Sequence, residues 1–330
     1  MAWRRGPLSP RAAEASQPTR PPGEPRAALI SGGRSNLTYV LNDEFVLRRP
    51  PLGHVLATAH DMSREYRVIS ALVPTPVPVP EPKLLCEDDS VLGAPFYIMR
   101  RVPGTVYRNR TQTDPLGEDG RRRLAFEMVD TLRTLHSVEP ASVGLGDFGR
   151  PDGFLERQVR RWAGQLERSR SRDLPGADEL HDLLAARVPE TSRAGIVHGD
   201  FRLDNLMVDP DTLTVAAVLD WEMATLGDPL TDLGLLVTYW DIRGGDLTGP
   251  IADGVGVAAG FPSGAELLDR YGTDEDLSWY IALGCYKLAV ILEGIHFRFL
   301  QGATVGEGFD QIGAGFDPLI AAGLNALGDS

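Results

Sequence analysis

The 330-residue sequence is short of several things, and each shortage excludes a class of protein. Cysteine is nearly absent: Cys86 and Cys285 are too few for a disulfide framework and are not spaced as a metal site. Positive charge is scarce as well. Against 46 Asp and Glu stand 33 Lys and Arg, giving a net charge of −13 and a pI near 4.9. Nucleic acid wants a basic face, so it is not expected as a partner. Long hydrophobic runs are missing. The best, Ile281 to Leu292, is broken by Lys287 and falls short of the roughly 18 apolar residues of a membrane span, so none is expected. Lysine itself is rare. Lys83 and Lys287 are the only two, and arginine makes up the rest of the basic residues, which leaves almost no lysine for a catalytic role. What is present, 42% apolar and 24% charged residues, is the balance of a globular chain. Its length suits two lobes better than one core.

Residues 1–26 are rich in Pro and Arg, carry no periodicity and read as a disordered tail. No apolar segment follows Arg4-Arg5, so no export signal is expected and a cytoplasmic location is. Residues 27–102 read as a small β-rich lobe. Leu37 to Leu41, a turn at Asn42-Asp43 and Phe45 to Arg48 make a hairpin, and His60 to Leu72 has helical spacing. The five prolines between Val73 and Pro82 demand an extended connector, and strands fit at Lys83 to Cys86 and Pro95 to Arg101. Residues 103–330 read as a larger, mainly helical lobe. Leu124, Met128, Leu132 and Leu135 share one helix face, and Phe154, Leu155, Val159, Trp162 and Leu166 share another. Shorter periodic runs cover Leu180 to Val188, Pro229 to Trp240 and Ala265 to Tyr271. A long one covers Glu275 to Leu300, and Asn205 to Val208 and Leu213 to Leu219 form an internal hairpin.

The informative segment is His198 to Asp232, HGDFRLDNLMVDPDTLTVAAVLDWEMATLGDPLTD. Asp200 lies five residues before Asn205, and Asp220 ends the next strand. This spacing matches the kinase pattern H-R-D-x-x-x-x-N followed by a metal-holding Asp, with Gly199 in place of Arg. Phosphoryl transfer needs little covalent chemistry from the protein. It needs a carboxylate beside the incoming hydroxyl, hard oxygen ligands for Mg²⁺, and positioning. Asp209 and Asp211, by contrast, read as turn-forming carboxylates.

With the HGDxxxxN and LDWE pair and the GDPxxDLG that follows, the chain resembles the aminoglycoside phosphotransferase and choline kinase-like families over roughly residues 27 to 300. The stretch FLERQVRRWAGQLERSR (154–170) resembles the kinase-like modules joined to acyl-CoA dehydrogenases. The resemblance implies an α+β, two-lobed protein-kinase-like fold with ATP and Mg²⁺ as cofactors. It makes Asp200 the catalytic base, Asn205 and Asp220 the metal ligands, His198 a structural histidine and Asp232 the brace of the catalytic loop. Nucleotide contacts fall to Ser35 in a loop over the phosphates and to Arg48 where the kinase strand carries lysine. Glu65 would be the helix partner of that cation. Met99 would line the adenine pocket, and the Arg100 carbonyl and Val102 amide would bond the base. Two departures stand out. The loop Ser31 to Asn36 lacks G-x-G-x-x-G and could equally be a plain hairpin turn. Arg48 keeps the charge of the missing lysine but not its reach, and Arg49 is the alternative on the opposite strand face.

Only six residues separate Asp220 from Gly227-Asp228-Pro229, and no Ala-Pro-Glu follows. That leaves no room for the activation segment with which a protein kinase binds peptide, so a small hydroxylated molecule is the expected acceptor. Charge points two ways. Residues 241–330 hold 13 acidic and 4 basic residues, which could attract a polycation such as an aminoglycoside. Residues 150–172 hold seven arginines against three acids, and Arg157, Arg160 and Arg161 could grip the phosphates of a coenzyme A acceptor. The subgroup resemblance favours a hydroxyacyl-CoA over an antibiotic. A nucleotide-binding pseudokinase is the alternative from another class. Oligomeric state is not legible.

Overall fold

Asn42 and Asp43 adopt left-handed backbone conformations, φ 52° and 60°, which short polar side chains tolerate best. They reverse the chain between strands β2 (Leu37–Leu41) and β3 (Phe45–Arg49). In the computed structural model these strands belong to a five-stranded antiparallel sheet. Its other members are β1 (Ala27–Leu29), β4 (Pro82–Cys86) and β5 (Phe96–Arg100), and its order is β1-β2-β3-β5-β4. The structure describes residues 26–30, 36–51, 61–191, 193–242, 259–302, 309 and 311–328. Most of the proline-rich tail therefore lies outside the described residues. Arg26 itself joins the sheet edge, its backbone N–H donating to Asn42 Oδ1 at 2.7 Å.

Helix α1 (Met62–Leu72) starts at Asp61, whose carboxylate accepts from the backbone N–H groups of Ser63 and Arg64. The helix lays Val68, Ile69 and Leu72 into the core and turns Glu65 inward with them. The proline-rich connector then touches the second lobe, where the Pro78 carbonyl accepts from Val218 N–H at 2.8 Å. A single helical turn, α2 (Asp89–Leu92), precedes β5. The link after β5 is pinned to the second lobe through paired Thr105 and Val208 backbone bonds of 2.8 and 2.9 Å. At Gly104 in that link, φ is +146° and a Cβ would lie 2.7 Å from the Val208 carbonyl oxygen, so the close approach requires glycine.

The second lobe is helical, as its periodicity predicts. After the short α3 (Arg110–Thr113) come α4 (Gly117–Ser137), α5 (Phe154–Ser169) and α6 (Ala177–Ala186). Each of the first two long helices buries the apolar face its spacing marked. Two β pairs follow: β6 (Gly195–Val197) with β9 (Thr225–Gly227), and β7 (Leu206–Val208) with β8 (Val215–Val218). Then come α7 (Leu230–Ile242), α8 (Gly264–Tyr271), α9 (Ser278–Leu300) and α10 (Phe316–Gly328). The core helices α7 and α9 cross where each lacks a side chain. A Cβ on Gly234 would lie 2.6 Å from Tyr280, and one on Gly284 would lie 2.5 Å from Thr238 Oγ1. Contrary to the expectation from the sequence, α9 is long and apolar enough to cross a membrane, but 72% of its most apolar window is buried inside the protein. It is apolar all round because protein surrounds it, the pattern of a core helix.

Candidate active site

The HGD segment leaves β6 at Val197. Gly199 follows with φ +85°, and a Cβ there would stand 2.8 Å from Met223 Cβ. That fit explains glycine where kinases carry arginine. Asp232, on the first turn of α7, clamps the segment by accepting from His198 N–H at 2.6 Å and Gly199 N–H at 2.7 Å. His136 Nε2 approaches it at 3.2 Å. Burial alone would raise Asp232. The His136 hydrogen bond, nearby histidine charge and the His198 N–H outweigh it, and the carboxyl is held below the usual range. His198 accepts from Asp200 N–H on Nδ1 at 3.2 Å, so its Nε2 carries the proton and donates to the Leu219 carbonyl at 2.9 Å. That tautomer ties the loop to the end of β8 and leaves no nitrogen for proton transfer.

Asp200 is fixed at both oxygens. Tyr239 donates to Oδ1 at 3.0 Å and Asn205 Nδ2 to Oδ2 at 2.9 Å. Asn205 Nδ2 also donates to the Asp200 carbonyl at 2.8 Å, and its own backbone carbonyl accepts from Leu219 N–H at 2.8 Å. Asn205 is thus tethered beside Asp220, the residue after Leu219. Asp220 itself sits at φ 64°, a left-handed conformation that costs a non-glycine residue roughly 1–3 kcal/mol. The cost is tolerated because the carboxylate is turned towards the sheet, where Arg48 Nη2 donates to it.

Arg48 joins the lobes. It pairs with Asp220, and its Nε lies 3.0 Å from Glu65 Oε2 as an ion pair out of line for a hydrogen bond. Its Nη2 is 3.6 Å from Glu222. Glu65 is buried, accepting from Tyr97 OH at 3.0 Å and Asn36 Nδ2 at 3.2 Å. Burial pushes Glu65 up to about 7, against the pull of Arg48. Asn36 also donates to Glu222 at 3.1 Å, a second bridge between the lobes. Arg49 faces the other way and donates to the Leu92 carbonyl at 2.6 Å, so the strand register selects Arg48.

The remaining expected nucleotide contacts lie at the sheet's inner end. Met99 is buried on β5 opposite Val46. Arg100 holds its side chain in solvent among Glu44 and Glu81, and Val102 is half-buried in the link beyond. Ser35 lies outside the described residues. Three residues not singled out from the sequence join the site: Glu222, Tyr239 and Arg202. Glu222 is the second acid of LDWE, a signal present in the motif. Arg202 pairs with Asp204 and lies 5.0 Å over the Tyr239 ring, with its buried Nε lacking an acceptor among the described residues. Of the arginines on α5, Arg157 bonds the carbonyls of Arg150 and Asp152 and so fastens its own loop.

Among the described residues no cluster of three His, Cys, Asp or Glu forms a metal cage. The donor set instead suits a hard cation that brings its other ligands with it. Asn205 and Asp220 stand on neighbouring backbone, joined through the Leu219 N–H to the Asn205 carbonyl, and both side chains offer oxygen donors.

The family described as the phosphotransferase enzyme family matches residues 26–267. Acyl-CoA dehydrogenase family member 11 from Gallus gallus is 35% identical over 324 residues, covering 93% of this chain and 41% of that protein. Family member 10 from Mus musculus is 34% identical, covering 85% of this chain and 27% of that one. The chain thus spans about two fifths or less of these relatives. A crystal structure from Ralstonia eutropha, provisionally described as an aminoglycoside phosphotransferase, has a TM-score of 0.77 at 32% identity and covers 93% of both chains. An aminoglycoside 2'-phosphotransferase-IIIa in complex with GDP shares the fold, with a TM-score of 0.61 at 17% identity. A two-lobed kinase-like fold with an HGDxxxxN loop braced by a buried aspartate, matched by that family over most of its length, places this chain in the phosphotransferase enzyme family.

Proposed function

We propose that the chain transfers the γ-phosphoryl group of ATP to the hydroxyl of a small molecule, with a hydroxyacyl-CoA as the leading acceptor. The observation that carries this reading is the convergence of Asp200, Asn205 and Asp220 with Arg48 and Glu65 from the other lobe. Asp200 stands ready to accept the acceptor's hydroxyl proton. Tyr239 and Asn205 hold its two oxygens and leave lone pairs open. The acceptor oxygen then attacks the γ-phosphorus, the bond to the β-phosphate oxygen breaks, and ADP leaves with that electron pair. Asn205 and Asp220 would hold Mg²⁺, whose charge neutralises the developing negative charge on the phosphates. Asp220 must exchange Arg48 for that role. Arg48 keeps Glu65 and turns its free donors to the phosphates. The acyl-CoA part of the reading rests on the kinship with acyl-CoA dehydrogenase family members, of which this chain matches a part.

The test is ADP release from MgATP with hydroxyacyl-CoA thioesters in one set and aminoglycosides in another, Asp200→Asn serving as the blank. Turnover in the first set alone supports the acyl-CoA acceptor. Turnover in the second alone replaces it with an antibiotic. MgATP binding without turnover in any set makes the chain a nucleotide-binding module.

A further inference from the structure

One of the two lysines in this arginine-rich chain is buried beside the catalytic loop. Lys287, on α9, donates from Nζ to the Gly199 carbonyl at 2.5 Å. An ammonium has three donors, and the other two have no acceptor among the described residues. Lys287 lies on a cavity between α5, α7, α9 and the catalytic loop, whose wall includes Gln158, Trp162, Thr231 and Gly199. Arg161 lines the same cavity from α5, exposed at its rim and with no ion pair among the described residues.

The two cations share one aromatic ring. Arg161 lies 5.3 Å and Lys287 5.4 Å from the centre of the Trp162 ring. Like charges converging on one indole repel, and the cavity wall holds one acid to offset them, Asp232. Its oxygens already accept from His198, Gly199 and His136. Burial holds Lys287 below the usual lysine range, and Arg161 adds to that, against the pull of Asp200 and Asp232. A buried ammonium with spare donors and an exposed guanidinium on the same ring together suit an anion with oxygens for both.

We infer that this cavity is an anion site of the acceptor, taking a carboxylate or phosphate group between Lys287 and Arg161 while the acceptor's hydroxyl reaches Asp200. That the anion belongs to an acceptor rests on the phosphotransferase reading; that an anion binds here does not. It also makes a polycation a poor fit, since an aminoglycoside would meet two positive charges beside the loop.

The experiment is calorimetric titration of the full chain with inorganic phosphate and, separately, with 3-hydroxybutyrate, without nucleotide. At least one should bind, and Arg161→Gln should weaken it about tenfold or more, the loss of one charge-assisted hydrogen bond. Lys287→Met should do the same. If that buried substitution unfolds the protein, the exposed Arg161→Gln still decides. Tighter phosphate assigns a phosphate-bearing acceptor, and tighter 3-hydroxybutyrate assigns a free hydroxy acid in place of the thioester. Binding that Arg48→Gln abolishes while Arg161→Gln leaves it intact would put the anion among the nucleotide groups and overturn the inference. So would no binding of either probe. The two readings fail separately. ADP release that favours neutral alcohols and ignores Arg161→Gln removes the anion site and keeps phosphoryl transfer. Anion binding that responds to Arg161→Gln, with no ADP release to any hydroxylated acceptor, keeps the anion site and removes the transfer.

Discussion

Glu65 in the sheet lobe and Asp232 in the helical lobe are equally buried, each at 1% exposure, yet they titrate in opposite directions. Glu65 is pushed up to about 7 and Asp232 is held below its ordinary value. The difference lies in what donates to them. Asp232 takes two backbone N–H groups and a histidine, all set by the fold, and they favour its charge. Glu65 accepts from a tyrosine hydroxyl and an amide, and pairs by charge alone with a guanidinium that it shares with Asp220 and Glu222. One carboxylate is a fixed brace. The other belongs to a network of side chains that, on the proposed function, re-pairs when a nucleotide arrives. Buried acids in one site can therefore serve rigidity or exchange, and the donor type distinguishes them.

The largest effect expected is at the residue the brace positions. Asp200→Asn should lower transfer by about 10²–10⁴-fold, the range for a lost general base, while nucleotide affinity by calorimetry stays near wild type. A near-wild-type rate would remove Asp200 from the chemistry. Next, breaking the brace with Asp232→Ala should cost about 3–5 kcal/mol in urea unfolding, because it orphans the buried His198 N–H, the half-buried Gly199 N–H and His136. A loss under about 1 kcal/mol would mean that the loop holds itself.

The exchangeable side predicts smaller effects. Arg48→Ala should raise the KM for ATP about tenfold or more, with Arg48→Lys restoring part of it. If Arg49→Ala does this instead, the register argument fails. The pH dependence should split the same way. Glu65 holds a proton in the folded chain that the unfolded chain releases, so its contribution to stability falls as pH rises from about 4.5 to about 7. Asp232 contributes in the opposite sense: its stabilisation is present above its ordinary value of 3.8 and is lost on acidification through its lower folded value. Urea midpoints between pH 5 and 7 for wild type and Glu65→Gln should converge towards neutrality, with a change of about 1–3 kcal/mol across the window. Parallel curves would mean that Glu65 is ionised throughout. The smallest effect is expected at the second bridge between lobes, where Asn36→Ala should cost about 1 kcal/mol.

Much of this arrangement was legible in the sequence, because it is local. Asn42-Asp43 tolerates the left-handed backbone of a tight turn between two strand-like runs, the periodic faces of α4 and α5 mark their own burial, and Asp200 and Asn205 are one loop apart. The choice of Arg48 over Arg49 also follows from strand alternation once β3 is placed. Other parts were not legible. The β6–β9 pair joins segments about thirty residues apart, each only three residues long, too short to carry a pattern. Helix α10 went unread beyond the long apolar run of α9, although it packs Phe316, Leu319 and Ile320 into the core. Tyr239 gave no signal, because nothing in an apolar helix says which ring will meet a loop 39 residues away.

The sequence by itself determined the two-lobed α+β plan, most of its helices and strands and the spacing of the carboxylates in the HGD loop, since turn chemistry, periodicity and motif spacing act over a few residues. Tertiary structure alone decided which charges meet. The pairing of Arg48 with Asp220 across 172 residues, the clamp of Asp232 and the approach of Lys287 to Gly199 are contacts between distant segments. Charge is a property of a residue, but its partner and its solvation are set only when the chain closes, and those two quantities fix what each group can do.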